Sequence, residues 1–304
     1  MATALLFPGQ GLHFVGMGQS LAQQFATARR VFDEVDDALA APLSRLAWEG
    51  PEADLTLTAN AQPAILAHAI AAFRVLQERI DLAPTVAVGH SLGEWSALVA
   101  AGVLDLPTAA RLVRQRGQFM QDAVPAGVGA MAAVLGLERA AIEQACLTAA
   151  QGEVVAIATC NDLVNTVISG HAGAVERAGA LCMQAGALKV APLTVSAPFH
   201  SPLMAPAALR LDALLAPVVW RAPQFAIQST VNAQRVTDAA AFRQLLVLQM
   251  TAPVLWQDAI AAIAAQGITA AFALGPAAAL PGMVKRTARG IKVTVVSEAA
   301  DVPA

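Results

Sequence analysis

The chain of 304 residues has room for two domains of ordinary size, or for one large α/β domain carrying an insertion, and can bury a sizeable core. Hydrophobic residues make up 57% and charged residues 13%, which excludes intrinsic disorder, and a net charge of −3 with scattered Lys and Arg gives no electrostatic footprint for nucleic acid. A mean hydropathy of +0.57 raises the question of a membrane protein. The longest uncharged stretch, residues 259–284, is interrupted by Gly275, Pro276, Pro281 and Gly282 too closely for a spanning helix.

In chain order, residues 1–7 form an apolar run ended by Pro8-Gly9-Gln10-Gly11, which predicts a buried strand entering a glycine-rich turn. Helical spacing in Leu21, Phe25, Val31, Val35 and Leu39 predicts one helix over 20–41, and a second covers 61–80. Residues 85–88 are a short apolar run bounded by Pro84 and Gly89, followed by helix composition over 94–102. A further helix covers 106–123, with Pro107 near its first turn. Residues 127–193 have their own rhythm: strands at 130–135, 154–158, 166–169 and 188–193, with helices at 138–150 and 172–185. The order β-α-β-β-α-β is ferredoxin-like and predicts a small subdomain inserted in a body formed by 1–126 and 194–304. The α/β alternation then resumes, with helices at 206–215, 239–248 and 253–266 and strands at 225–229 and 270–274.

Two features bear on compartment and metal. The first basic residue is Arg29, so no charged segment precedes an apolar signal core, and a cytoplasmic protein is expected. Cys146, Cys160 and Cys182 are odd in number and lack metal-ligand spacing, which predicts reduced, buried thiols and no metal.

Gly89-His90-Ser91-Leu92-Gly93 matches the G-x-S-x-G nucleophile elbow and lies between a predicted strand and a predicted helix, the context that motif requires. Small residues two before and two after the serine let strand and helix approach, and the N–H of Leu92 points from a helix N-terminus at a developing oxyanion. The competing reading of Ser91 is a helix N-cap. A serine nucleophile needs a base. His90 is adjacent to Ser91 and diverges from it, His68 lies mid-helix, and His13 and His171 occupy loops. His200 follows the serine on a late loop stiffened by Pro198 and Pro202, so it leads and His171 comes second. No aspartate stands out to orient the base, which leaves a backbone carbonyl for that role. Arg116 could clamp a carboxylate with parallel N–H bonds, though on pattern alone a solvated helix face is the simpler reading. Gly9-Gln10-Gly11-Leu12-His13-Phe14 lacks the last glycine of a dinucleotide fingerprint, and no phosphate-loop GKS/T occurs.

Further short motifs fall in one order along the chain: Pro8-Gly9-Gln10-Gly11, Gln62-Pro63-Ala64, Gly89 to Glu94, Arg116-Gly117 with Met120-Gln121, Gly129 to Ala133, Val167 to Gly170, Phe199 to Met204, Gln249 with Pro253 and Trp256, and Val284-Lys285-Arg286. With them the chain resembles the malonyl-CoA:acyl carrier protein transacylases over nearly its whole length. The resemblance implies a hydrolase-like three-layer α/β body with a parallel sheet and the inserted ferredoxin-like subdomain. It implies Ser91 as acylated nucleophile, His200 as base, Gln10 and the Leu92 N–H as oxyanion hole, and Arg116 on the malonyl carboxylate. It gives Gln249 to the support of His200 through its carbonyl, and places Gln62 and Asn161 at polar positions near the site. Phe199 and Leu92 look like malonyl-selecting variants. The partners implied are malonyl-CoA and an acyl carrier protein, with no cofactor beyond the partner's phosphopantetheine, no membrane and a monomeric state. Leu12-His13 and Ala273 to Ala277 depart from the family pattern. The alternatives are the transacylase subunit of malonate decarboxylase, a serine acyl hydrolase of carrier thioesters and a non-catalytic docking subunit. The insert is expected to hinge on its two chain crossings at 125–127 and 191–192.

Overall fold

The computed structural model describes residues 2–125 and 127–303. Strand β1 (Thr3–Phe7) leads through a loop into α1 (Gln19–Gln24), α2 (Ala26–Leu39), α3 (Leu43–Glu49), α4 (Glu52–Thr56) and the long α5 (Thr58–Arg79). Next come β2 (Pro84–Gly89), α6 (Gly93–Ala100) and α7 (Leu106–Asp122). The insert contributes β3 (Gly129–Leu135), α8 (Arg139–Ala150), β4 (Val155–Asp162), β5 (Asn165–His171), α9 (Ala172–Gln184) and β6 (Lys189–Pro192). The chain returns as α10 (Ala205–Leu215), β7 (Ala226–Gln228), β8 (Arg235–Val236), α11 (Ala239–Gln249), α12 (Trp256–Ala265), β9 (Ala270–Leu274), α13 (Leu280–Thr287) and β10 (Lys292–Val296).

The first sheet has the order β10-β9-β1-β2-β7-β8 and is parallel except for β8. Its strands are apolar on both faces, as a sheet covered on both sides requires. Leu5, Phe7 and Ala87 pack on one side with helices α2, α5, α6 and α7, while Ala4, Leu6, Val86 and Val88 pack on the other with Trp256, Ile260 and Ile263 of α12. The second sheet, β4-β5-β3-β6, is antiparallel and carries a core of its own against α8 and α9. The architecture is therefore the α/β body with a ferredoxin-like sheet expected from the sequence. Among the described residues no helix is long and apolar enough to cross a membrane.

Several elements differ from the sequence reading for identifiable reasons. The single helix expected over 20–41 breaks at Phe25, whose backbone is extended (φ −124°, ψ 117°) and whose side chain turns into the core. The helix expected from 253 begins at Trp256, because Val254 instead exchanges main-chain bonds with β4: its N–H donates to Ala158 at 2.9 Å, and its carbonyl accepts from Cys160 at 2.8 Å. Strand β4 runs to Asp162 rather than stopping at 158. The short α3, α4, α13 and β8 and the edge strand β10 carry too little periodicity to be read locally.

The insert and body meet at more points than their two chain crossings. Besides the Val254 bridge, Arg286 of α13 pairs with the buried Asp162 at 2.7 Å, and Arg139 of α8 pairs with Asp258 of α12 at 2.7 Å. Of the expected pivot at 125–127, Ala126 lies outside the described residues. The cysteines are free and buried, and burial raises their thiols, Cys146 to about 12 and Cys160 to about 11.

Candidate active site

Parallel pairing sets Phe7 beside Gly89, so the carboxyl ends of β1 and β2 open on one edge and bring the Gln10 loop next to Ser91. The turn from β2 into α6 is as tight as the motif implies. A Cβ on Gly89 would lie 2.0 Å from the Glu94 nitrogen, and one on Gly93 would lie 2.2 Å from the Phe7 carbonyl oxygen. Ser91 itself sits in the left-handed region (φ 51°), a strained conformation that lifts its hydroxyl out of the turn. It does not act as an N-cap, since α6 has no side-chain cap bond. The N–H groups of Gly93, Glu94 and Trp95 go to the carbonyls of His90, Ser91 and Leu92. None of the described hydrogen bonds engages the N–H of Leu92 or of Gln10.

His200 reaches the same point from the loop before α10. Its Nε2 accepts from Ser91 Oγ at 2.8 Å, and its Nδ1–H donates to the Gln249 carbonyl at 2.9 Å. A carbonyl can only accept, so the partners fix the tautomer without a carboxylate. Burial and the nearby Arg116 charge lower His200 to about 3, which keeps it a neutral acceptor. Of the other histidines, His171 lies in the insert and accepts the Val154 N–H through Nδ1. His68 is buried in α5, and His90 turns from Ser91 to face Asn161 Oδ1 at 2.9 Å. His13 lines the cleft near Thr56.

Arg116 is 1% exposed, so the solvated-face reading is overturned: α7 directs it inward. Its Nη1 donates to Gln62 Oε1 at 2.8 Å, and its Nη2 donates to Gln249 Oε1 at 3.0 Å and Ser91 Oγ at 3.1 Å. Burial brings it down to about 10, leaving it cationic at neutral pH. The serine hydroxyl thus receives a guanidinium N–H while offering its own proton to His200, a pattern suited to stabilising an alkoxide.

These groups form the floor of a cleft of about 540 Å³ between the body and the insert. Gln10, Gln62, Phe199 and Leu92 line it from the body, while Thr159 and Asn161 line it from β4. Every sequence-derived site residue lines this cleft except Gln249, which lies behind Arg116 and His200. The two departures from the family pattern differ in position. Leu12 and His13 line the cleft, whereas Ala273 and Ala277 are buried behind it. The sequence reading missed Thr58 and Ser196, joined at 3.1 Å next to Gln10, because nothing local marks them. It also gave no role to Glu94, although that residue directly follows the elbow motif.

The acyl transferase domain family matches residues 4–303. The chain belongs to the acyl transferase domain family. This acyl transferase is 43% identical over 295 residues to the malonyl CoA-acyl carrier protein transacylase of Escherichia coli K12, covering 97% of this chain and 96% of that protein. It is also 43% identical to the protein of that name from Bacillus subtilis strain 168, covering 97% and 93%. Among solved structures, an acyl carrier protein S-malonyltransferase from Vibrio cholerae matches with a TM-score of 0.96 at 43% identity, over 99% of this chain and 98% of the other. A malonyl-transacylase in complex with a type II PKS acyl-carrier protein matches with a TM-score of 0.97 at 41% identity, over 99% and 97%.

Proposed function

We propose that this acyl transferase moves a malonyl group from malonyl-CoA to the phosphopantetheine thiol of an acyl carrier protein through an ester on Ser91. The observation that carries the reading is a cationic, buried Arg116 whose Nη2 lies 3.1 Å from the serine hydroxyl. A substrate carboxylate one methylene from the reacting carbonyl would meet that guanidinium as the carbonyl meets Ser91. Proteins named for malonyl transfer to acyl carrier protein, similar over nearly their whole length, support the substrate and the partner.

In the first half-reaction His200 Nε2 takes the hydroxyl proton as Ser91 Oγ attacks the thioester carbonyl. The N–H groups of Gln10 and Leu92 stabilise the oxyanion. The C–S bond then breaks, and the CoA thiolate takes the proton from His200. In the second half-reaction the carrier thiol gives its proton to His200 and attacks the ester, and the departing Ser91 Oγ takes that proton back from His200. Gln62 and Gln249 hold Arg116 toward the malonyl carboxylate, Asn161 borders the arm of the incoming thiol, and Phe199 narrows the pocket against branched acyl groups. The working unit divides into the body of 1–126 and 194–304 and the insert of 127–193, with the substrate between them. It acts in the cytoplasm as a monomer and needs no cofactor of its own.

Labelled malonyl-CoA should yield a labelled Ser91 peptide, and Ser91→Ala should abolish it, lowering transfer by about 10⁴-fold or more. Removing one member of a buried charge pair costs about 2–4 kcal/mol, so Arg116→Ala should lose malonyl transfer by roughly 10²-fold while gaining relative activity on acetyl-CoA. Label retained by Ser91→Ala, or free malonate released rapidly without a carrier protein, would contradict the assignment.

A further inference from the structure

Arg116 is deeply buried, yet among the described residues no carboxylate pairs with it. Its acceptors are two neutral amide oxygens and the serine hydroxyl, and its Nε has no partner. A buried guanidinium left uncompensated is costly, so the negative charge that offsets it must lie further back.

Glu94, 1% exposed in the first turn of α6, is the carboxyl group that Gln249 links to Arg116. Its Oε2 accepts from Gln249 Nε2 at 2.7 Å and from Thr230 Oγ1 at 3.2 Å. An amide N–H can only donate, so the atom facing Gln249 carries no proton. Burial raises the Glu94 carboxyl, and the donors from Ser229, Gln249 and Thr230 oppose that rise. The Gln249 amide nitrogen also donates to the Ser91 carbonyl at 3.2 Å. With its nitrogen held by two acceptors, the amide turns Oε1 toward Arg116. One amide therefore separates the buried acid from the buried base, aligned so that each sees its preferred end.

We propose that Glu94 is a positioning residue for malonyl recognition, acting through the Gln249 amide as a counter-charge to Arg116 while leaving the guanidinium edge free for the substrate carboxylate. A direct Glu–Arg fork would occupy the N–H pair that a malonyl carboxylate requires. Total absence of the acid would leave a bare buried cation that grips the malonyl carboxylate more tightly in the ground state than in the transition state, so that KM and kcat fall together. An acid one amide away tempers Arg116 without displacing the substrate. This inference rests on the malonyl reading of the site.

The test is the kinetics of malonyl- and acetyl-CoA with Glu94→Gln, in which the side-chain oxygen can still accept from Gln249 while the charge is gone. The separation and an intermediate dielectric set the expected scale. KM for malonyl-CoA should fall roughly three- to tenfold, with a kcat lower by a similar factor. Both acetyl-CoA parameters should stay within about twofold. Glu94→Asp keeps the charge and should keep the wild-type malonyl KM. If it instead shifts as the glutamine variant does, shape rather than charge is responsible and the proposal fails. Equal changes for malonyl and acetyl, or no change, would also overturn it. If Glu94→Gln does not fold, as read from thermal unfolding, the malonyl KM of Glu94→Asp alone decides. Wild-type enzyme that failed to form malonyl-Ser91 would instead remove the functional reading itself, which separates the two failures.

Discussion

The two sheets use the same alanine- and valine-rich alphabet but bury different things. The parallel sheet and its helices enclose four ionisable residues, His68, Glu94, Arg116 and His200, three of which converge beneath the cleft. Apart from the thiols of Cys146, Cys160 and Cys182, the antiparallel sheet of the insert and its helices bury one, Asp162, and that carboxylate faces outward to Arg286 of the body. The insert's buried polar residues on the cleft side, Thr159 and Asn161, are neutral. Strain follows the same division, with Ser91 and His200, both of the body, held at positive φ in the site. A parallel sheet covered on both faces offers a dry, rigid edge on which charges can be oriented, whereas a small four-stranded sheet offers a wall that shapes the cleft. The difference teaches that chemistry and access are assigned to separate cores.

That division can be broken most severely at the elbow. Gly93→Ala puts a methyl against the Phe7 carbonyl oxygen, with backbone on both sides, and should cost about 3 kcal/mol or more while removing Ser91 reactivity. A folded variant with normal serine labelling would show that the close approach is not required. The next effect concerns buried charge in the body. His68 donates to the Ser297 carbonyl, and burial lowers it from 6.5 to about 4. Its folded value lies below its unfolded one, so the unfolded chain binds the extra proton, and stability is lost as pH falls from about 6.5 towards 4. Relative to a His68→Gln variant, wild type should lose of order 2 kcal/mol over that window in denaturant titrations. Parallel curves for the two proteins would refute it. The smallest effect belongs to the joint between the cores. Asp162→Asn breaks a pair whose arginine is 46% exposed, so a loss of about 1 kcal/mol is expected, a shift of a few degrees in Tm. Amide exchange within β4 and β5 should rise more than in β1 and β2. Uniform exchange would mean that the pair does not tie the insert to the body.

What the sequence alone determined is whatever depends on neighbours in the chain. The elbow needs small residues at fixed offsets from Ser91, so the motif specifies its own geometry, and long periodic segments such as α5, α7, α8 and α9 reveal the face they bury. The β-α-β-β-α-β order likewise announced the ferredoxin-like sheet, because each of its elements connects by a short turn to the next. The family resemblance, carried by motifs spread from Pro8 to Arg286, supplied roles that local spacing left open for Arg116 and Gln249. Other features were settled by packing at long range. Phe25 breaks a helix whose periodicity is continuous, and Val254 leaves helical geometry to bond with β4. Arg116 stands in a sequence that reads as well for solvent as for the interior, and its burial exists only because residues 62, 91 and 249 converge on it. The tertiary structure also set the one-amide separation of Glu94 from that cation. Side chains 155 positions apart acquire a fixed hydrogen bond only when two cores' worth of apolar burial holds their backbones in place.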